Sequence, residues 1–408
     1  MRVVITGSFQ GQDSLGDECL LKAVIERIRY QQADARIVVQ LLDTNGSFIR
    51  ELVATTEIEA EPGLETVFRR ASHILKRLRV PEGLAESAAQ RSAGLMNALD
   101  MFGGRAAMDS LSRANAFFIY GGTQFSGMWF KLNAPSYLKS AEIVRASGGK
   151  VYFGAQQYGP MVTQDVATLR HALAHVVDDW RTRNELDLEL LDAGAKARGE
   201  RSIYDEVFSA VRLYPSRPHE TPAYILANVR HTTFEDITTL VDDRYKRLAA
   251  LIDGLIDRFD LPVMFFGVSG ASFCDDDAAA LAVQKHARNA SRITSVGRVR
   301  DEHHLFDLAA KAKLTLSMSF HGCLLAGIAG SPFIPVTEGN YYDYKYADFD
   351  KYTGMQGAPL ISLSKCEPAS DLSRIVQFVE GYRREAFIET RSKASEMADA
   401  FYASAIGH

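Results

Sequence analysis

The sequence is poor in the features that define several classes of protein. It has only 4 cysteines, which are widely spaced and form no CxxC pair, so we expect reduced, mostly buried thiols and no zinc site. No apolar run reaches the roughly 18–20 residues that a membrane-spanning helix needs. The charge excess is small, with 46 Lys+Arg against 51 Asp+Glu and a net charge of −5, which argues against a general nucleic-acid binder.

The N-terminal residues also lack the apolar core of about 7–15 residues that a signal peptide carries, and this absence predicts a cytoplasmic protein. No internal repeat or low-complexity segment is visible. What the chain does have is an ordinary globular composition, with 47% hydrophobic and 24% charged residues over 408 positions. Because domains usually contain about 100–200 residues, this length favours two domains.

Strands and helices are expected to alternate in two successive series. The first series has expected strands at Arg2–Thr6, Arg36–Leu42, Ala116–Tyr120, Lys150–Gly154 and Val176–Trp180, and expected helices at Asp17–Arg29, Pro135–Ala146 and Val166–His175. The second series has expected strands at Tyr224–Val229, Pro262–Val268, Ile293–Val296, Leu314–Met318 and Phe333–Val336, and expected helices at Asp236–Phe259, Glu302–Lys313 and Gly322–Ala329. This alternation predicts two parallel sheets with helical crossovers.

The predicted domains are two Rossmann-like lobes that face a cleft. We expect an N-terminal lobe over 1–195 on the acceptor side, with a helical insertion near 60–113. A Pro- and Gly-containing linker over 196–222 leads to a C-terminal lobe over 223–370 on the donor side, and a long C-terminal helix over 371–408 follows. Ligands of open α/β sheets bind beyond the carboxyl ends of the strands, so two facing lobes suit a transferase.

The loop Gly7–Asp17 follows the first expected strand and is rich in glycine. Glycine lets the backbone approach a ligand, and the start of the following helix attracts anions. Ser14 and Asp17 are therefore candidate binding residues, although an ordinary βα turn would need the same glycines.

Two further turns of the first series carry polar or glycine residues. Gly121 and Gly122 close the third expected strand, and Gln156 comes shortly after the fourth. The glycines leave room for a ligand, and amide side chains suit hydrogen bonds to sugar hydroxyls. A plain loop explains each of these turns as well.

Candidate reactive groups occur in the second series. His321 stands where an expected strand meets a helix, and a neutral imidazole can accept or donate a proton near pH 7. Arg230 ends another expected strand, and a guanidinium can bind a phosphate or carboxylate with two hydrogen bonds. Lys345 is a second cation, in the aromatic run Tyr341–Tyr346. Each of these features has a structural alternative. His321 would then cap the helix, Arg230 would form a surface ion pair, and the aromatic run would pack in a buried interface.

These motifs, in this order, resemble the polysaccharide pyruvyl transferase family. The matching segments are Ser14–Glu18, Gly121-Gly122, Gly154–Pro160, Arg183-Asn184, Ser317–Gly322 and Tyr342–Lys345. The resemblance runs from about residue 3 to residue 350. Three positions depart from the family pattern. Ser14 replaces the usual Asn of Asn-x-Gly-Asp-Glu, Asn184 stands at the Asp of the Arg-Asp segment, and Ser319 replaces the Arg of Ser-x-Arg-x-His-Gly.

The resemblance implies a GT-B-like fold and an enzyme that transfers a pyruvyl group from phosphoenolpyruvate, its co-substrate, to a sugar or lipid-linked glycan. The product would carry pyruvate as a ketal across two hydroxyls, with no metal or other cofactor. By the same resemblance Arg230 and His321 are catalytic. The implied substrate-binding residues are Ser14, Asp17, Gly121, Gly122, Gln156, Ser319, Tyr342 and Lys345.

Alternatives stay open because Ser319 removes a positive charge near the implied donor site. One is another GT-B transferase that uses a nucleotide sugar or a different small anion. Its common Glu-x7-Glu pattern is missing, since Tyr346 stands eight residues after Glu338. A second alternative is a non-catalytic homologue that binds a sugar or an anion. A lipid-linked acceptor would imply a peripheral membrane contact, for which Glu65–Arg79 is the candidate stretch. The sequence does not specify an oligomeric state.

Overall fold

The structure is a computed structural model. It describes residues 1–7, 14–66, 69, 104–191, 201–232, 241–269, 274–299, 301–355 and 357–407. The chain forms two compact units. The first unit consists of Met1–Gln12, Leu20–Asp205 and Asp399–His408, and the second consists of Asp13–Cys19 and Glu206–Ala398.

The first unit is built on a six-stranded sheet in the order β3-β2-β1-β4-β5-β6. Its strands are β1 Arg2–Thr6, β2 Arg36–Leu41, β3 Glu59–Pro62, β4 Ala116–Ile119, β5 Lys150–Gln156 and β6 Asp179–Thr182. Every neighbouring pair is parallel. The apolar residues of β1, β2 and β4, which are mainly β-branched in β1 and β2 and aromatic in β4, explain this arrangement, because a parallel sheet is buried on both faces. The strand order is that of a Rossmann fold.

The second unit repeats this order with the sheet β11-β9-β7-β12-β13-β14. Its strands are β7 Tyr224–Asn228, β8 His231–Thr232, β9 Val263–Gly267, β10 Cys274–Asp275, β11 Ile293–Arg298, β12 Ala312–Ser317, β13 Phe333–Thr337 and β14 Ile361–Ser362. Strands β8 and β10 form a separate antiparallel pair, and the six strands of the main sheet are parallel. The prediction of two Rossmann-like α/β units is therefore confirmed.

Helices connect the strands of both sheets. Those in the described part of the chain are α1 Leu15–Gln31, α2 Ser47–Thr56, α3 Gly104–Ser112, α4 Gly127–Ala146, α5 Thr163–His175, α6 Leu186–Leu190, α7 Glu206–Ser209, α8 Val241–Phe259, α9 Asp276–His286, α10 Glu302–Ala310, α11 Phe320–Ile328, α12 Gly339–Lys345, α13 Asp350–Thr353, α14 Pro368–Gly381 and α15 Arg384–Ile406. No described helix is both long enough and apolar enough to cross a membrane. The predicted C-terminal helix is present, as α14 and α15, with a break after Gly381.

Two local predictions need correction. Helix α4 begins at Gly127 and contains Pro135, whereas the sequence suggested a start at the proline. A helical insertion was predicted near 60–113, but its first residues form a strand. This strand, β3, is a polar edge strand that pairs with β2. Residues 67–68 and 70–103 of this stretch lie outside the described residues. The same is true of residues 8–13 in the glycine-rich loop and of residues 236–240 at the start of the predicted helix Asp236–Phe259.

The core of the first unit includes residues from the far end of the chain. The ring of Phe118 in β4 stacks on that of Tyr402 in α15, with centroids 5.4 Å apart. The fully buried side chain of Arg27 in α1 pairs with Asp399, also in α15. The C-terminal residues thus complete the packing of the first sheet.

Candidate functional site

The strand order of the second sheet reverses between β7 and β12, and the carboxyl ends of these two strands lie side by side there. Strands β7 and β12 are neighbours, and Asn228 pairs with Ser317 at the end of both. From this point β9 and β11 extend to one side and β13 and β14 to the other. In open α/β sheets such a point is where ligands bind.

Asn228 ties three strand ends together. Its side-chain Nδ2 donates to the carbonyl of Phe266 at 2.9 Å and to Asp276 Oδ2 at 3.2 Å. Its Oδ1 accepts hydrogen bonds from Ser319 N at 3.2 Å and Ser317 Oγ at 3.3 Å. Because the side chain is fully buried, these bonds fix the turn that follows β12.

Asp276 holds the guanidinium of Arg230. Its Oδ1 accepts from Arg230 Nε at 3.0 Å, and the two side chains are only 4% and 15% exposed. Its Oδ2 accepts from Val268 N at 2.8 Å and Ser269 N at 3.4 Å. The carboxylate is therefore anchored by backbone donors and sets the direction of the Arg230 side chain.

Ser319 starts helix α11 rather than supplying a charge. Its Oγ accepts a hydrogen bond from Gly322 N at 3.1 Å, the standard N-cap arrangement. The side chain that replaces the arginine of the resemblance is thus used to stabilise the helix that carries His321. This position therefore has no positive charge, and its side chain serves as the N-cap of α11.

His321 is half-buried in the first turn of α11. A Cβ atom on Gly16 would lie 2.1 Å from His321 Nδ1, so the backbone at Gly16 packs directly against the imidazole. The ring of Phe320 meets the imidazole edge-on, with centroids 5.6 Å apart. The first turn of α1 and the start of α11 therefore fix the position of the histidine together.

Lys345 lies beside the same turn. Its Nζ is 5.7 Å from the ring centroids of both Phe320 and Tyr341, within cation–π range. The hydroxyl of buried Tyr346 donates to the carbonyl of Met318 at 3.0 Å, which fastens α12 to the turn. Tyr342, a predicted binding residue, is 3% exposed and packs against Tyr341.

Ser14 and Asp17 were predicted as part of the first series, but the structure assigns both to the second unit. Ser14 forms a bridge with Ser269, and Leu15 N donates to the carbonyl of Val268 at 3.4 Å. The N-terminal loop thus ends at the carboxyl end of β9. Local strand order could not show this, because the contact joins residues some 250 positions apart.

The other predicted binding residues lie in the first unit. Gly121 and Gly122 follow β4, and Gln156 ends β5, where its main chain pairs with that of Gly122. Gly122 has φ of 135°, a conformation that favours glycine. Arg183 of the matching Arg-Asn segment forms a buried ion pair with Asp205, with 2.8 Å between Nη1 and Oδ2.

A buried carboxyl accompanies the end of β1. The hydroxyl of Tyr137 donates to Gly7 O at 3.0 Å and to Glu65 Oε2 at 3.2 Å, and Arg69 Nη2 pairs with Glu65 Oε1. Burial raises the pKa of Glu65, although the charge of Arg69 opposes this shift. Burial also raises the pKa of Tyr137 well above its usual value.

The sequence analysis missed Asn228 and Asp276. The only signals were an asparagine at a strand end and an acidic residue at a helix start. Among the described residues, no group of three or more His, Cys, Asp or Glu is arranged to hold a metal ion. In the described part of the chain, Cys19, Cys323 and Cys366 are buried and form no disulfide bond.

Solved structures with this fold come from several organisms. MnaA of S. aureus, solved with UDP, has a TM-score of 0.54 and 11% identity, with 97% of this chain and 94% of that chain covered. The UDP-GlcNAc 2-epimerase of Methanocaldococcus jannaschii has a TM-score of 0.53 and 12% identity, covering 98% and 99%. Anabaena HepE, solved with UDP and glucose, has a TM-score of 0.50 and 10% identity, covering 98% and 95%. These likenesses support the GT-B-like fold class.

Sequence comparison identifies the family. No curated protein matches the chain significantly. The family model for polysaccharide pyruvyl transferase, however, matches residues 15–340. The matched residues include Gly16 and the turn that carries His321, which are in contact in the second unit. The chain therefore belongs to the polysaccharide pyruvyl transferase family.

Proposed function

We propose that the protein transfers the pyruvyl group of phosphoenolpyruvate to two hydroxyls of a sugar or glycan. The observation that carries the proposal is the set of Arg230, His321 and Lys345 around the strand ends of β7 and β12. Phosphoenolpyruvate has a phosphate and a carboxylate, and two cations beside a proton carrier match these groups. Family membership supports the same chemistry.

The residue types fit the steps of ketal formation. Protonation of the donor's methylene carbon makes a methyl group and leaves an oxocarbenium-like centre at C2. One sugar hydroxyl attacks C2, the C2–O bond to phosphate breaks, and the second hydroxyl closes the ketal. One hydroxyl proton balances the proton taken by the methyl group, and the other leaves with inorganic phosphate. Arg230 would stabilise the departing charge, and His321 would carry the proton.

The contact with Gly16 suggests which nitrogen of His321 takes part. The Nδ1 edge of the ring faces the Gly16 backbone, so we assign proton transfer to Nε2. His321→Ala should lower turnover by at least about 100-fold, on the scale of general acid–base catalysis. A variant that retains turnover would rule out this role for His321.

Ser319 favours a second candidate, a transferase with a nucleotide-sugar donor. The turn lacks the family arginine, and similar folds have been solved with UDP. A third candidate is a homologue that binds a sugar or anion without turnover. The second and third candidates would use the same site, but with a different donor or without catalysis.

Thermal unfolding with different ligands separates these candidates. Phosphoenolpyruvate, pyruvate, phosphate and a panel of nucleotide sugars are compared at equal concentration. A ligand at 100 times its Kd stabilises the folded state by about 2.7 kcal/mol. Stabilisation by phosphoenolpyruvate, lost in Arg230→Ala, supports the pyruvyl transferase. Stabilisation by a nucleotide sugar alone contradicts it.

A glycan acceptor, a cytoplasmic location and a peripheral membrane contact belong to the same proposal. The candidate membrane stretch Glu65–Arg79 lies mostly outside the described residues. Phosphate release that depends on an added glycan, measured with the purified protein, tests whether the acceptor is a sugar. Phosphate release without any acceptor dependence would argue against group transfer.

A further inference from the structure

The buried amide of Asn228 is connected to both reactive groups of the candidate site. Asn228 ends strand β7 with an exposed fraction of 0%, and its main chain pairs with Ser317 at the end of β12. Arg230 follows Asn228 by two positions, and His321 follows Ser317 by four. The arginine and the histidine therefore leave the sheet from two neighbouring strand ends that share this side chain.

The partners of the Asn228 amide fix which way it is turned. Its nitrogen lies 2.9 Å from the carbonyl oxygen of Phe266 and 3.2 Å from a carboxylate oxygen of Asp276, and both oxygens accept hydrogen bonds. Its oxygen lies 3.2 Å from Ser319 N, which can only donate. A flipped amide would set oxygen against oxygen and N–H against N–H, so one orientation satisfies every partner.

The nitrogen end of the amide supports Arg230 through Asp276. Asp276 Oδ1 accepts from Arg230 Nε at 3.0 Å, while its Oδ2 accepts from Asn228 Nδ2. The backbone nitrogen of Val268 donates to the same Oδ2 at 2.8 Å. Because two donors hold Oδ2, the carboxylate cannot turn without losing them, and Oδ1 stays directed at the guanidinium.

The oxygen end of the amide supports His321 through the turn after β12. Asn228 Oδ1 accepts from Ser319 N, and Ser317 Oγ lies 3.3 Å from the same oxygen. Ser317 Oγ also accepts from Ser319 N at 3.0 Å, and a Cβ atom on Gly322 would lie only 2.7 Å from this hydroxyl. The first turn of α11, which carries His321, is thus packed on a hydroxyl that contacts Asn228.

We propose that Asn228 is a positioning residue that holds Arg230 and His321 at a fixed spacing. This inference rests on the proposed function, in which the arginine stabilises the departing phosphate and the histidine carries the proton. Both groups act on one donor molecule, so the distance between them matters as well as the direction of each. A misplacement of about 1 Å can lower a rate roughly 100-fold. One amide bonded to both sides keeps this distance constant.

Three variants separate this role from a general contribution to stability. Asn228→Leu keeps the branched shape of the side chain and removes the hydrogen bonds at both ends. Ser317→Ala removes a partner of the oxygen end alone. Thr315→Val is the matched control, because Thr315 is an equally buried hydroxyl of β12 whose partner, Ser331 Oγ at 2.9 Å, precedes the start of β13 and lies away from the strand ends.

The first measurement uses the full chain without any substrate. NMR follows the Nε–H signal of Arg230 and the imidazole signals of His321, assigned by their loss in Arg230→Lys and His321→Gln. We expect Asn228→Leu to shift the signals of both groups. Ser317→Ala should shift those of His321, and Thr315→Val should shift neither. Unchanged signals of both groups in Asn228→Leu would overturn the proposal, because a purely structural amide would affect stability without moving them.

Isothermal titration with phosphoenolpyruvate is the second measurement. Asn228→Leu should raise the Kd about 5-fold, on the scale of one neutral hydrogen bond, and Thr315→Val should change it by less than 2-fold. If Asn228→Leu does not fold, the NMR comparison of Ser317→Ala with Thr315→Val decides, and equal His321 signals in the two would overturn the proposal. Absence of phosphoenolpyruvate binding by the wild type would contradict the proposed function, whereas the NMR test of Asn228 is independent of it.

Discussion

Asp276 should control how well the second unit binds an anionic donor, although it is not itself expected to touch the donor. In Asp276→Asn the retained oxygen can still accept from Val268 N and Asn228 Nδ2. The new amide nitrogen would face Arg230 Nε, and two donors cannot bond. The guanidinium loses a charge-assisted hydrogen bond of 3.0 Å, worth about 1.5–3 kcal/mol. Because Arg230 is 15% exposed, it recovers part of this from water, and we take about 2 kcal/mol.

Isothermal titration with phosphoenolpyruvate measures the effect. The bond exists with and without the donor, so the Kd rises by the part of this free energy that keeps Arg230 oriented; the full 2 kcal/mol sets an upper limit of roughly 30-fold. Asp277→Asn is the matched control, since this neighbour in the first turn of α9 is exposed, and its Kd should stay within about 2-fold of the wild type. A lower melting temperature with an unchanged Kd would show that Asp276 only stabilises the fold and does not orient Arg230.

Three further predictions concern single positions. Gly16→Ala should lower turnover about as much as His321→Ala, because the new Cβ would lie 2.1 Å from the imidazole. The control is Gly381→Ala, where a Cβ meets nothing within 4 Å. Normal turnover in Gly16→Ala would refute the contact. Ser319→Ala should lower the free energy of unfolding by about 1 kcal/mol through loss of the N-cap, while Ser319→Thr keeps it; urea denaturation that gives equal values would contradict the cap. Glu65 has a raised pKa in the folded protein, so its contribution to stability is full below the unfolded value near 4.5 and is lost as pH rises through the folded value. Glu65→Gln should therefore gain stability relative to the wild type between pH 4 and 7, and a constant difference across that range would exclude this linkage.

The repeating elements were predictable because each is set by a local pattern. Strand β1 was predicted with its observed bounds, and the turn at His321 was correctly placed between a buried strand and a helix. Both depend on short apolar runs followed by glycine or polar residues, which the chain shows directly. Helix α4 was predicted too short because proline is commonest at a helix start, and in this protein the helix continues through Pro135.

The site itself depends on contacts that the sequence does not show. Asn228 and Asp276 are 48 positions apart, and their roles follow from the pairing of strands, not from a motif. The same is true of Gly16, whose neighbour His321 lies far along the chain. The sequence could identify which residues are reactive, but the groups that hold them in place are visible only in the fold.

The packing of the C-terminal helix α15 against the first unit has a consequence for folding during translation. Phe118 and Arg27 both rely on partners in α15, Tyr402 and Asp399. These partners are synthesised more than 200 residues after the end of β6. The first sheet can therefore not finish its core during translation, even though its strands are complete early. We expect an N-terminal fragment ending at Asp205 to expose Phe118 and to aggregate, and addition of a peptide carrying the last helix to reduce that aggregation.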